Sequence, residues 1–355
     1  MEFLQKIRER GHKISVLLGG WEGATGENFA ENDIDFYFAS TRDVFSSITG
    51  TPYPILRNVS HYIRMVDPDV VHVNSHLFLS SYSAVDASHL MGIPSVVTVH
   101  GVMVKRGLIL DVLQGIYLRT VARLLFEKVS AVMCLTESDA ESVAHIVGGD
   151  DKIFIVPNGV DTELFKPASV KDSNLITWVG RLVPEKGLVY LFRAMQMVFE
   201  EHGDARFVLV GDGPLRTELM NLVNKFDLTS RVDFVGSVGR VKVAELLSKS
   251  SIFVFPSLRE GLPLSVLEAM ACGVPVVGSD IPGVNDVVKH GENGFLVLPR
   301  DSKALADGVS ALLDDDRLRR GFGEEARKVI VDNYRWDIVL SKVEKIYKET
   351  AERIR

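Results

Sequence analysis

The sequence has little cysteine, no long apolar run and no excess of positive charge, and each shortage removes a class of protein. Cys134 and Cys272 are the only cysteines among 355 residues. Both sit in apolar stretches, 131–135 and 269–277, as small buried hydrophobes, which excludes a disulfide framework or a zinc site. Lys and Arg number 40 against 47 Asp and Glu, and the net charge of -7 argues against a surface built to neutralise a phosphate backbone. No nucleic-acid partner is expected. No run approaches a membrane span, and residues 1–10 place charges where a signal peptide would carry its apolar core, so the expected location is cytoplasmic.

What remains is an ordinary globular composition, 46% hydrophobic and 25% charged, in a chain longer than one core usually serves. Two domains are expected. Short Val- and Ile-rich runs of strand type (12–18, 70–74, 95–100, 131–135 and 152–156) alternate with helical patterns. Their near-continuous apolar character fits parallel sheets buried on both faces. A turn-rich stretch from Pro157-Asn158-Gly159-Val160-Asp161 to Asn174 interrupts the series. The alternation then restarts at 175–179, 206–210, 231–235, 252–255, 274–278 and 294–298. The expected division is 1–165, 166–335 and a closing helix over 336–355. Two open α/β domains present crevices at the carboxyl ends of their strands, and a cleft between them is the natural place for a site.

Three constellations carry chemistry. In Phe255-Pro256-Ser257-Leu258-Arg259-Glu260-Gly261-Leu262-Pro263, a strand ends at Pro256 and a helix begins near Leu262, with Pro263 in its first turn. The helix runs to Gly273, a suitable cap, and its first N–H groups face the strand end, ready for a phosphate. Glu260 and Glu268 flank that point, about 12 Å apart or somewhat less by the helical rise. In Val179-Gly180-Arg181-Leu182-Val183-Pro184-Glu185-Lys186-Gly187, Arg181 and Lys186 bring two cations to a crevice suited to a diphosphate. In Val210-Gly211-Asp212-Gly213-Pro214, the glycines follow a strand but lack the rest of a dinucleotide fingerprint, so a base edge fits better than a pyrophosphate. His100 stands at the carboxyl end of a buried strand of the first domain, either as a hydrogen-bonded core residue or as a site residue.

Taken in order, Pro157-Asn158-Gly159-Val160-Asp161, Gly180-Arg181-Leu182 with Glu185-Lys186-Gly187, Gly211-Asp212-Gly213-Pro214, and Glu260-Gly261-x-x-Leu264 with Glu268-Ala269-Met270-Ala271 resemble the retaining glycosyltransferases of family 4. The likeness is specific in the second domain and looser in the first, where His100-Gly101 and the strand spacing match. It implies the GT-B architecture, two Rossmann-like domains facing across a cleft. It also implies that Arg181 and Lys186 bind the diphosphate of a nucleotide sugar, that Glu268 binds the ribose, and that Glu260 binds the transferred sugar. Gly211, Gly213, Gly261, Leu262 and Leu264 would line the donor, and His100 would touch the sugar from the other domain. Configuration would be retained without a metal or other cofactor. The physics agrees, because a departing nucleoside diphosphate gains negative charge that placed cations and helix N–H groups stabilise.

The family normally opens with a strand, a Gly-rich loop and a helix ending in Arg-Gly-His. Here Arg10-Gly11-His12 follows the chain's first residues directly, so the resemblance implies that the strand and loop are missing. That leaves a non-catalytic nucleotide-sugar binding protein as an alternative, with a sugar-nucleotide epimerase behind it. The acidic groups Asp33-x-Asp35 and Asp67-x-Asp69, which precede strand-like segments and so lie at the wrong edge of a sheet for a crevice ligand, and Asp314-Asp315-Asp316, at a helix end, read as solvated loop residues, and no metal site is expected. The apolar stretch 107–128, with Lys105, Arg106, Arg119, Arg123 and Lys128 about it, reads as a core helix in preference to a membrane-contacting one. The acceptor is open.

Overall fold

A computed structural model describes residues 1–19, 28–43, 54–102, 112 and 115–352. The chain divides into two compact units, Met1–Pro157 with Val339–Arg355, and Asn158–Ile338.

In the first unit, β1 (Ile14–Gly19), β2 (Phe29–Glu31) and β3 (Ile34–Ala39) form a sheet in the order β1-β3-β2, with β1 and β3 parallel. β4 (Thr41–Asp43) and β5 (Pro54–Leu56) pair antiparallel. β6 (Val71–Asn74), β7 (Ser95–Val99), β8 (Ala131–Cys134) and β9 (Ile153–Ile155) form a parallel sheet in that order. The strands expected at 12–18, 70–74, 95–100, 131–135 and 152–156 are present with ends shifted by a residue or two, β3 is the strand-like segment after Asp33-x-Asp35, and β2, β4 and β5 have no counterpart in the sequence pattern. β1 and β6 each stand at the edge of their sheet among the described strands.

Val96, Val97, Val99, Val132 and Cys134 of the central strands are wholly buried. From the described part of the stretch 107–128, residues 112 and 115–128, Leu118, Ala122, Leu125 and Phe126 pack into this core, while the rest of that stretch, with Lys105 and Arg106, lies outside the described residues. Ile116, Val121 and Leu124 on the same stretch are exposed. The helix Trp336–Glu352 starts in the second unit and packs its later turns on the first. There Glu344 meets Arg10 at 2.9 Å and His12 at 3.1 Å. His72 is hydrogen-bonded to Tyr347 (Nδ1 to OH, 2.5 Å) and to Thr98 (Nε2 to Oγ1, 2.7 Å).

The second unit is one six-stranded parallel sheet built from β10 (Leu175–Val179), β11 (Arg206–Val210), β12 (Val232–Gly236), β13 (Ile252–Phe255), β14 (Val276–Ser279) and β15 (Gly294–Val297). The spatial order β12-β11-β10-β13-β14-β15 is the doubly wound Rossmann order, with its switch point between β10 and β13. Trp178, Phe192, Phe207, Phe253 and Phe255 fill the core without exposure.

The unit begins at Asn158 rather than 166, because 158–165 is anchored to it. Val160 N–H donates to Tyr334 O at 2.8 Å, Gly159 lies against the Trp336 ring, and Phe165 is fully buried.

The acidic groups are placed more definitely than the sequence suggested. Asp35 lies within β3, Asp315 caps the helix Asp316–Asn333, and Asp316 pairs with Arg319 and Arg320. Among the described residues no three metal-ligating side chains gather, and no helix is long and apolar enough to cross a membrane.

Candidate active site

The carboxyl ends of β10 and β13 bring two loops side by side at the switch point. After β10 the chain makes a short 3-10 turn, Pro184–Lys186, and a left-handed residue, Gly187, before the helix Leu188–Glu201. After β13 it runs to Pro263, which is the extended N-cap of the helix Leu264–Ala271. Pro263 therefore precedes the first turn, and Leu264 and Ser265 expose N–H groups that have no acceptor within the helix. Gly273, at φ 65°, closes the other end.

Charged pairs join the two loops. Lys186 Nζ lies 2.6 Å from Glu260 Oε1, and their side chains are only 22% and 12% exposed. The ammonium also sits 5.4 Å from the centre of the Phe255 ring, a cation–π distance. Arg259 meets Glu185 at 2.6 Å, and Leu258 N–H donates to Glu185 O at 2.8 Å. Ser257, fully buried, places its hydroxyl 2.5 Å from Glu260 Oε1. Arg181 is exposed and, among the described residues, has no side-chain partner.

Glu268 lies within the helix Leu264–Ala271, and Arg240 reaches it at 3.4 Å with its guanidinium over the Phe165 ring. Arg240 has no local signal in the sequence, since only the fold brings it to Glu268, and Ser257 and Arg259 stand in the first constellation without a role that the sequence alone assigns. Asn158 donates its side-chain amide to Leu262 O at 3.2 Å, which ties the Pro157-Asn158-Gly159 motif to the loop before the helix.

The glycines of the site have packing reasons of their own. A Cβ on Gly211, at φ 131°, would overlap the carbonyl of Gly180, and one on Gly213 would crowd the Leu182 backbone. These residues let the β10 and β11 loops touch. Gly283, which the sequence did not flag, has φ 83° and abuts the carbonyl of Gly261. Its N–H is held by Asp286 Oδ2 at 2.7 Å. Leu262 is buried and Leu264 half exposed, so Leu264 has apolar surface at the crevice while Leu262 serves the core.

In the first unit His100 follows β7, with Nε2 3.4 Å from Asn74 Oδ1, a long contact. Part of its ring is open to solvent, yet the protein packed around it lowers its pKa by desolvation. Burial likewise pushes His72 and His76 nearby down to about 4, helped by the charge that His100 would carry. All three are therefore held toward the neutral form.

Residues 160–329 match the family described as glycosyl transferases group 1, and residues 1–164 match glycosyltransferase family 4. A UDP-Gal:alpha-D-GlcNAc-diphosphoundecaprenol alpha-1,3-galactosyltransferase of Escherichia coli is 32% identical over 78% of this chain and 74% of its own. An N-acetyl-alpha-D-glucosaminyl L-malate synthase of Bacillus anthracis is 27% identical over 98% and 91%. Among solved structures, the sucrose-phosphate synthase of Thermosynechococcus elongatus superposes with a TM-score of 0.79 over 98% of this chain and 91% of that one. At 20% identity it speaks to the fold, which is GT-B.

Proposed function

We propose how this chain, which belongs to the family 4 glycosyltransferases, moves a sugar from a nucleotide-diphosphate donor to its acceptor. The donor diphosphate lies over the switch point of the second unit, against Arg181, Lys186 and the N–H groups at Leu264 and Ser265. Glu268 takes the ribose hydroxyls, Glu260 takes hydroxyls of the sugar, and the Gly211–Gly213 and Gly261–Leu264 segments border the nucleotide.

The supporting observation is the meeting of Lys186 and Glu260 at 2.6 Å where the strand order reverses. One loop pair thus offers a cation for phosphate and a carboxylate for hydroxyls. In the transfer, the bond from the anomeric carbon to the phosphate oxygen breaks as the acceptor oxygen bonds to the same face. The acceptor proton passes to the leaving phosphate, and configuration is retained. Arg181 and Lys186 balance the charge that develops on the diphosphate, so no metal is needed.

Transfer is tested with UDP-glucose, UDP-galactose, UDP-N-acetylglucosamine and GDP-mannose against a panel of sugar, lipid-linked and small hydroxyl acceptors, each with EDTA or magnesium. Product of retained anomeric configuration, formed equally in EDTA, is expected. Donor binding without consumption across the whole panel would favour a binding protein instead.

A further inference from the structure

We infer that Ser257 is a positioning residue that holds Glu260 in place when the donor diphosphate draws Lys186 away. The inference rests on the reading that Glu260 binds the transferred sugar.

Ser257 is fully buried two residues past β13, between Pro256, whose carbonyl abuts Gly187, and Leu258, whose N–H donates to Glu185 O at 2.8 Å. Three acceptors surround its hydroxyl: Glu260 Oε1 at 2.5 Å, Glu185 O at 3.1 Å and Arg259 O at 3.3 Å. One hydrogen serves only one of them well. The carboxylate is both the closest and the only charged acceptor, so it takes the bond.

Lys186 shares that same oxygen at 2.6 Å. Its ammonium stands on a flexible stem and can swing to a diphosphate of greater charge. Glu260, only 12% exposed, then needs another partner, because a nearly buried carboxylate left alone is costly. The serine hydroxyl cannot follow the lysine, so it remains on Oε1. Among the described residues nothing binds Oε2. Ser257 and Lys186 thus leave one carboxylate oxygen for sugar hydroxyls, and Ser257 keeps it aimed after Lys186 has moved.

The test is a double-mutant cycle in the full chain with Ser257→Ala, Glu260→Gln and the pair. UDP and UDP-glucose are the probes, or GDP and GDP-mannose if those shift the melting temperature more. Ser257→Ala should keep nucleoside-diphosphate affinity within about twofold and lose about five- to twentyfold for the sugar nucleotide, as expected for a lost charge-assisted bond. In the Glu260→Gln background the serine change should add little, because it acts through Glu260. A general loosening of the loop would weaken both ligands alike and would sink the inference. So would a serine effect undiminished by Glu260→Gln, or wild-type selectivity in Ser257→Ala while Glu260→Gln is selective. If Glu260→Gln itself fails to separate the two ligands, the sugar-binding reading of Glu260 falls first.

Discussion

Lys186 Nζ and Glu260 Oε1 stand 2.6 Å apart, so the cation proposed for the diphosphate is already engaged by the carboxylate proposed for the sugar. Removing the carboxylate charge frees the lysine. Glu260→Gln should therefore raise affinity for free nucleoside diphosphate by about two- to fivefold while lowering it for the sugar nucleotide. Lys186→Ala and Arg181→Ala should each lower nucleoside-diphosphate affinity by about tenfold or more, the scale of a charge-assisted contact. Calorimetry in EDTA measures all three. Unchanged affinity in both cation variants, or binding that requires magnesium, would overturn the assignment.

Glu268 differs from Glu260 in its neighbours, since it answers to Arg240 across a helix rather than to the loop lysine. Glu268→Gln should weaken free nucleoside diphosphate and sugar nucleotide to the same extent, about three- to tenfold for one lost acceptor. Competition binding with the two ligands decides it. A selective loss of the sugar nucleotide would move Glu268 from the ribose to the sugar.

Two glycines should respond to alanine in opposite directions. At Gly283 an added Cβ would run into the Gly261 carbonyl at a left-handed φ of 83°, so Gly283→Ala should cost about 2 kcal/mol or more and depress donor binding. Gly321, inside the helix Asp316–Asn333 with nothing near its missing Cβ, should gain about 0.5–1 kcal/mol as alanine. Thermal or urea melts of the two variants give the comparison. A Gly283→Ala protein as stable as the parent would show that the two loops do not press on each other.

Burial pushes the thiols of Cys134 and Cys272 up to about 12 from an ordinary 9.0. An aromatic disulfide reagent at pH 8 should label neither until the chain unfolds. Because the folded pKa lies above the unfolded one, the contribution to stability is complete below pH 9 and is lost as pH climbs toward 12. The slope is at most about 1.4 kcal/mol per pH unit for each thiol. Lys171, pushed down to about 8 by burial beside Cys272, works the other way between pH 8 and 10.5, so Cys134 gives the cleaner signal. Rapid labelling of the native protein would contradict this.

The second unit was legible because its chemistry is written in consecutive residues at strand ends. Gly180 to Gly187 and Glu260 to Gly273 declare a strand, a loop and a helix within a short stretch, and periodicity suffices to place them. Partners across the fold were not legible. Asn158 reaches Leu262, and Arg240 reaches Glu268, over separations that no local pattern encodes. Gly211 looked like a ligand-approach glycine because only the structure shows that the Gly180 backbone takes up its open side. In the first unit, the strand-like run after Asp33-x-Asp35 is legible, but the two acids give the start of β3 the look of a loop. The fold buries Ile34 and Phe36 on one side and leaves Asp35 and Tyr37 on the other.

The first unit is assembled from two separated stretches of chain, and the second from one. The ends of that one stretch close on each other where Val160 meets Tyr334 and Gly159 meets Trp336. In evolutionary terms the second unit is a removable cassette with neighbouring seams. Two crossovers, near 158 and 338, can exchange that unit without cutting a strand while the first unit is inherited whole. The seams are unequal. The residues just past the second one, Val339, Leu340, Val343 and Ile346, are buried in the host half, so a viable graft keeps the host's own closing helix from Val339 onward.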